Sequence, residues 1–401
     1  MPSQQSLPIF GNSANRGHMP ELLMISSHFI DHGGGLERVA DDLARRLAED
    51  GRFAVTLAAH GPAPSGLAYR TLALRASSIV ERLTGLPLLF PHPADLFALA
   101  KAVRKADVVV LHDNLYLANL IAQWVAQRRA IPTILIKHSG WVHSPSAVMR
   151  TAQSIANRLV LGPSLRSATR CVAVTAAKRD SLSHLARGRN IDVIENGIDT
   201  SLFSIQEVER DIDVLFVGRF VVKKGIGLVE RLAAQMPECR FLCAGFGPAA
   251  PQRTRANILV VDRPDPAEIA RLYARARVVV VPAHSEGTPL VVPESLACGT
   301  PVIASRQAAH PALPLAAILP IDLDWPDAVV RQWKAAIAAA LAEKADPHRL
   351  HKAVTDHFSL IATAGRYAAL IEEVVGVPYA LPERRSARPE DSIDDIASGA
   401  S

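Results

Sequence analysis

The sequence predicts an α/β chain folded as two doubly wound, Rossmann-like domains facing each other across a cleft. Three observations predict it. From Leu22 onward, short apolar runs alternate with amphipathic stretches at helical spacing. That alternation calls for parallel sheets covered by helices on both faces. The pattern pauses between Asp199 and Asp211 and then starts again, so there are two series. Finally, 401 residues at 49% apolar content suffice for two separate cores.

The first series opens with a strand over Leu22–Ser26. Leu36, Val39, Ala40, Leu43 and Leu47 then fall on one helical face, and Gly51 stands where a helix ends. Further strands are expected over Ala54–Ala58, Val108–Leu111, Thr133–Lys137, Cys171–Val174 and Val193–Ile194. The second series gives strands at Val214–Val217, Phe241–Ala244, Ile258–Val261, Val278–Val281 and Val302–Ala304. The chain thus divides into a disordered tail over 1–18, a first domain over 19–207 and a second over 208–357. A C-terminal helix over 358–377 is expected to pack back on the first domain. The residues from 378 to 401 mix Arg, Pro, Glu, Asp and Ser without hydrophobic period, as a disordered tail does.

The net charge of +5 suits anionic partners such as nucleotides, acidic glycans or a lipid headgroup surface. Nucleic acid is disfavoured, because no Lys/Arg run is interleaved with aromatics, which total 5%. Cys171, Cys239, Cys243 and Cys298 each sit among apolar residues and read as reduced core thiols, not zinc ligands. Met1–Pro20 lacks an apolar signal core, and no run approaches the roughly 18 apolar residues of a membrane span. The expected location is the cytoplasm, with the inner face of the cell membrane as an alternative.

In open α/β sheets ligands bind beyond the carboxyl ends of the strands, and several motifs fall there. In Val281–Ser305 a strand runs into a Glu-Gly loop, a helix follows, Gly299 closes it and another strand begins. Thr288-Pro289 is a plausible cap and first helical residue, although Pro293 suits a later start. The amides around Gly287, Thr288, Pro289 and Leu290 could hold a pyrophosphate. Glu286 and Glu294 are separated by seven residues; alone, they could be a loop charge and a helix-start charge favoured by the dipole. In Val217–Gly225, Gly218 precedes Arg219, and Lys224 follows, so two cations sit at a strand end, suited to a diphosphate. Gly245 lies in a second strand-end turn, Ala244–Pro248, and Asn196-Gly197 is a turn signal in any protein. Gly33, Gly34 and Gly35 form a loop before the first helix but do not spell a dinucleotide fingerprint. His138 ends a strand, where a structural and a functional role are equally open; His112, His143 and His284 read as structural or supporting. Asp211-Ile-Asp213 imitates a metal-binding pair but precedes a strand instead of following one.

In this order, from Leu22 to about Val375, the motifs together resemble the retaining GT-B glycosyltransferases of family 4, group 1 type. The resemblance implies a nucleotide-sugar donor, UDP- or GDP-linked, held by the second domain while the first receives the acceptor, with no other cofactor and no obligatory metal. It also implies transfer of a hexose-type sugar with retention to a glycan or lipid-linked acceptor, in bacterial surface polysaccharide or glycoconjugate synthesis. Arg219 and Lys224 would neutralise the leaving diphosphate, Glu294 would bind the ribose, Glu286 would hold the sugar and His138 would face it. The glycine loop would lie over the donor phosphates or the acceptor. Two stretches depart from the family: Val260–Pro264 near the base pocket, and Gln307–Pro314 after the last motif. Leu83–Phe90 and the arginine-bearing Arg150–Arg170 could dock a membrane-bound acceptor, though a buried loop and an amphipathic core helix read better. Two rivals stay open: a nucleotide-sugar epimerase or hydrolase on the same scaffold, and a non-catalytic nucleotide-sugar binder.

Overall fold

The fold is that of a computed structural model, which describes residues 19–30, 34–77, 90–114, 116–138, 151, 154–251, 256–284, 289–321 and 324–376. Both expected tails lie outside the described residues. The first half runs β1 (Glu21–His28), α1 (Gly35–Glu49), β2 (Ala54–His60), β3 (Arg70–Leu74), then a short ribbon of β4 (Ala76–Ser77) and β5 (Phe90–Pro91). It continues through α2 (Pro93–Lys105), β6 (Val108–His112), α3 (Leu117–Arg128), β7 (Thr133–Lys137), α4 (Gly162–Ser167), β8 (Arg170–Ala173), α5 (Ala176–Ala186) and β9 (Asp192–Val193). Seven of these strands form one parallel sheet in the order β3-β2-β1-β6-β7-β8-β9.

The second half repeats the plan with β10 (Ile212–Val217), α6 (Ile226–Gln235), β11 (Phe241–Gly245), β12 (Ile258–Asp262), α7 (Pro266–Arg275) and β13 (Ala276–Val281). It is completed by α8 (Val291–Ala297), β14 (Val302–Ser305), β15 (Ala317–Leu319) and α9 (Asp327–Ala342). Its six parallel strands are ordered β12-β11-β10-β13-β14-β15. In each sheet the order reverses beside the first strand, between β1 and β6 and between β10 and β13. Those two places are the crevices where an open sheet receives a ligand.

The central strands are apolar on both sides because helices cover both faces. In β1, Leu22 and Met24 join one core and Leu23 and Ile25 the other. Burying each such side chain stabilises the fold by about 1.5–3 kcal/mol relative to exposure. Helix starts follow local chemistry: Asp265 caps α7 by accepting from the Glu268 amide at 2.6 Å, with Pro266 next. Helix α8 begins only at Val291, so Pro293 falls in its first turn, where the missing N–H is tolerated. Leu290, not Thr288, is the residue before it.

Two closing helices, α10 (Pro347–Phe358) and α11 (Leu360–Gly376), return the chain toward its start. Tyr367, Ala368, Ile371 and Val374 of α11 share a core with Leu22, Met24, Leu43 and Leu47. The two crossings between halves are bonded together: the Ile198 amide donates to Phe358 at 2.8 Å, and the Leu360 amide to Ile198 at 2.8 Å. Strands β3 and β15 were not expected from the sequence. Both are half-exposed edge strands: β3 carries Arg70 and Thr71 among its apolar residues, and β15 is only three residues long.

Candidate functional site

In the second half, the loops after β10 and β11 interlock. The Gly218 amide donates to Ala244 at 3.0 Å, Phe220 to Phe246 at 2.6 Å, and Ala249 back to Phe220 at 2.9 Å. Gly245 has φ +148°, and a Cβ there would stand 1.9 Å from the Gly218 carbonyl oxygen. The β10 loop then makes a single turn over Val222–Lys224 and ends at Gly225, with φ +78°. A Cβ on Gly225 would lie 2.0 Å from the Pro282 carbonyl oxygen, and the His284 amide donates to Lys223 at 2.8 Å. The Arg-Lys loop is thereby held against the start of the loop that follows β13, at the switch point.

Arg219 is exposed and Lys224 half-buried in this loop. A cavity of about 510 Å³ is lined by Arg219, Val221, Phe246, Gly247, Pro248, Asp262 and Arg263. The Arg263 guanidinium lies over the Phe246 ring at 4.0 Å, so Asp262-Arg263, where the sequence departs from the family, forms one wall. Gly33, Glu286, Gly287 and Thr288 lie outside the described residues. Pro289 is buried and Leu290 half-buried at the entry to α8.

Glu294, in the first turn of α8, is 2% exposed. Its Oε2 accepts from the Tyr273 hydroxyl at 3.0 Å, and its Oε1 is ion-paired with Arg38 of α1 at 3.1 Å. That second contact is not aligned as a hydrogen bond. Burial pushes the Glu294 carboxyl up, against the downward pull of Arg38 and Tyr273. Burial works against the Arg38 charge too, but Glu294 and Asp42 hold its pKa above the ordinary value. The guanidinium also covers the Phe203 ring at 5.0 Å. Near the crossing between the halves Arg45–Asp199 at 3.5 Å adds a further ion pair, and His310 Nε2 lies 2.9 Å from Glu195 Oε1. Arg38 is a residue that sequence reasoning missed, although it stands three residues past the glycine loop.

In the first half, Gly34 precedes α1 and Gly35 opens it. Glu37 is buried beside them and accepts from the Ser27 hydroxyl at 2.5 Å. At the end of β6, Asp113 takes φ +69°, which Asp tolerates better than most residues. Asn119 donates to the His112 and Asp113 carbonyls at 3.0 and 2.7 Å, fixing the turn. Lys137, ending β7, is ion-paired with Asp113 and donates to Asn114 Oδ1 at 3.3 Å. His138 follows. Its Nε2 lies 3.1 Å from His112 Nδ1, with the rings stacked at 5.2 Å.

Burial holds the His138 ring down to about 4, with Lys137 and Lys178 acting the same way against Asp113. Burial and then His138 hold His112 well below its ordinary value. Both rings are therefore neutral near pH 7, and one N–H is shared between them. His112 is thus a direct partner of His138. Asp113, Asn114, Lys137 and Lys178 also went unnoticed in the sequence. The available signal was a polar triplet, His112-Asp113-Asn114, directly after an all-apolar strand.

Asp211 and Asp213 are occupied by ion pairs, with Arg275 at 2.6 Å and Arg277 at 2.9 Å. Among the described residues no group of three His, Cys, Asp or Glu is placed to hold a metal, and no helix is long and apolar enough to cross a membrane. Cys171, Cys239, Cys243 and Cys298 are buried free thiols. Ile155 and Leu159 are 53% and 68% exposed, so the expected amphipathic core helix does not account for them. Leu83 to Leu89 and His143 lie outside the described residues.

Two family models match the chain: Glycosyltransferase Family 4 over residues 33–202 and Glycosyl transferases group 1 over 211–343. Among curated proteins, the D-inositol 3-phosphate glycosyltransferase of Segniliparus rotundus is 27% identical over 289 residues, 64% of each chain. That of Mycolicibacterium vanbaalenii is 26% identical over 329 residues, 70% of this chain and 71% of its own. The chain thus spans under two thirds of the length of the first such relative. Among solved structures, sucrose-phosphate synthase from Thermosynechococcus elongatus superposes with TM-score 0.66 at 20% identity, covering 89% of this chain and 99% of that one. Anabaena HepE, solved in complex with UDP and glucose, gives TM-score 0.66 at 15% identity, covering 88% and 100%. The fold is GT-B, and the matched models leave only the interdomain crossing and the ends uncovered: the chain belongs to the family 4 glycosyltransferases, group 1 type.

Proposed function

We propose that this chain transfers a sugar from a nucleotide-diphosphate sugar to a glycan or lipid-linked acceptor with retention, in bacterial surface polysaccharide or glycoconjugate synthesis. The observation that carries the reading is the Arg38–Glu294 pair, which ties the start of α1 in one half to the first turn of α8 in the other. The cleft between two strand-end crevices is where a donor and an acceptor can meet. Likeness to HepE, a protein solved with UDP and glucose, supports a nucleotide-sugar donor, UDP- or GDP-linked, and likeness to D-inositol 3-phosphate glycosyltransferases supports glycosyl transfer.

In this reading Arg219 and Lys224 neutralise the departing diphosphate, helped by amides around Gly287, Thr288, Pro289 and Leu290. Gly218 and Gly245 let backbone approach it. Glu294 takes the ribose hydroxyls by turning its Oε1 from Arg38, and Glu286 holds the sugar. His138, neutral, offers a hydrogen bond to a sugar hydroxyl, and Gly33, Gly34 and Gly35 close over the phosphates or the acceptor. The bond from the anomeric carbon to phosphate oxygen breaks as the bond to the acceptor oxygen forms, and the leaving phosphate takes the acceptor's proton. No obligatory metal is needed, because the two cations carry the charge. Exposed Ile155 and Leu159 beside Arg158 support peripheral contact with the inner face of the membrane.

The test is a thermal-shift panel of UDP, GDP, ADP and their sugar conjugates on wild type and Glu294→Ala. A nucleotide at a hundred times its dissociation constant stabilises by about 2.7 kcal/mol, or a few degrees. One base should shift wild type and not the variant; no shift from any nucleotide sinks the reading. With the base known, Arg219→Gln should lower kcat about a hundredfold.

A further inference from the structure

Among the described residues, ammonium groups outnumber carboxylates at the carboxyl ends of β6 and β7. Lys137 is 4% exposed and paired with Asp113. Lys178, half-buried at the third position of α5, interacts electrostatically with both of them. Two ammonium groups therefore share one carboxylate, while His112 and His138 beside them are held neutral. The first turn of a helix is also the wrong end for a cation, since its free amides already carry positive potential. Burial and then Lys137 push the Lys178 ammonium down to about 8, so it is still charged near neutrality.

Hydrogen-bond donors are left over at the same place. Asn114 is 1% exposed; its Oδ1 accepts from Lys137, and its Nδ2 has no hydrogen-bond partner among the described residues. Among the described residues neither His112 Nε2, fully buried, nor His138 Nδ1 has a partner, and because the neutral rings share one N–H, one of these two nitrogens is a further free donor. A polar network kept only for the fold would be neutral and satisfied, because unpaired buried donors and like charges both destabilise. Excess cation plus unpaired donors is the complement of an anionic oxygen acceptor.

We propose that Lys178 and Asn114, backed by the Lys137–Asp113 pair and His138, form a binding site for an anionic group, a phosphate or carboxylate, carried by the acceptor. This rests on the reading that the first domain receives the acceptor. The donor diphosphate is the other source of the same chemistry, but its expected cations, Arg219 and Lys224, belong to the second domain.

The test is calorimetric titration of the full-length protein with inorganic phosphate and with acetate, alone and saturated with the nucleotide found above. Wild type should bind at least one of the two anions through the millimolar range, with nucleotide present or absent. Lys178→Gln should weaken that binding at least about tenfold and leave nucleotide affinity unchanged, and Lys178→Arg should restore most of it. Without added anion, Lys178→Gln should also melt higher than wild type, which a lysine of structural use would not do. Wild type that binds neither anion, or Lys178→Gln that binds like wild type, overturns the proposal. Anion binding that the nucleotide abolishes overturns it as well, by placing the anion in the diphosphate site. If no nucleotide binds at all, the donor reading fails, while the anion titrations still decide the site on their own.

Discussion

The two crevices of this molecule are built by opposite means. Around β10, β11 and β13 the second half uses backbone: interlocked loops whose carbonyls occupy the space where side chains would stand at Gly245 and Gly225. Around β6 and β7 the first half uses side chains: a buried array of lysines, a carboxylate, an amide and two stacked histidines with donors to spare. A backbone crevice can grip a part common to many ligands, such as a diphosphate, whatever the surrounding side chains. A side-chain crevice is specific to one partner and can change with it. The difference teaches that the shared half of a reaction can be written in glycines, and the variable half in packed polar groups.

The strongest test of the comparison is the Arg38–Glu294 contact, which with His310–Glu195 joins side chains of the two halves. Arg38→Leu should destabilise by about 3–5 kcal/mol in urea unfolding, because it leaves Glu294 buried without its cation. Arg38→Leu combined with Glu294→Leu should recover much of that loss. A neutral single variant would mean that the halves are held together elsewhere, by the backbone crossing at Ile198.

Next in size is the backbone crevice. Gly245→Ala should cost about 3 kcal/mol or more, since its Cβ meets a carbonyl oxygen at 1.9 Å. Gly51→Ala, at φ +74° with open space around it, serves as the reference and should cost about 1 kcal/mol. Equal losses at the two sites would show that φ alone matters and that the interlock adds nothing.

The smallest effect concerns acid. His138 has a folded pKa near 4, below the unfolded value of about 6.5, so the unfolded state binds more protons between them. Its stabilising contribution is complete above pH 6.5 and is lost as pH falls through 4. His138→Gln should therefore flatten the decline of unfolding free energy over that window, by roughly 2–3 kcal/mol at pH 4.5. An unchanged slope would place the titration in His112 or the carboxylates instead.

Much of the site was legible in the chain. Val217–Gly225 and Ala244–Pro248 stand out because glycines next to apolar strands have a local cause, the strand-end turn, and the structure brings these two loops together. Arg38 was less visible. A charged residue on an amphipathic helix looks like any solvated one until the opposite domain presents a buried carboxylate. Lys137 and Lys178 were hidden for the same reason: 41 residues apart, each is an ordinary lysine, and only the pairing of β7 with β8 brings their regions together.

By itself the sequence determined the α/β alternation, the two sheets and the loops that must be glycine, because each follows from hydrophobic period or backbone sterics within a few residues. Tertiary structure decided which polar side chains are buried together, that Glu294 faces Arg38, and that His112 pairs with His138. Those outcomes depend on strand order and domain closure, and the energy of a buried charge is set by neighbours that the linear chain does not place.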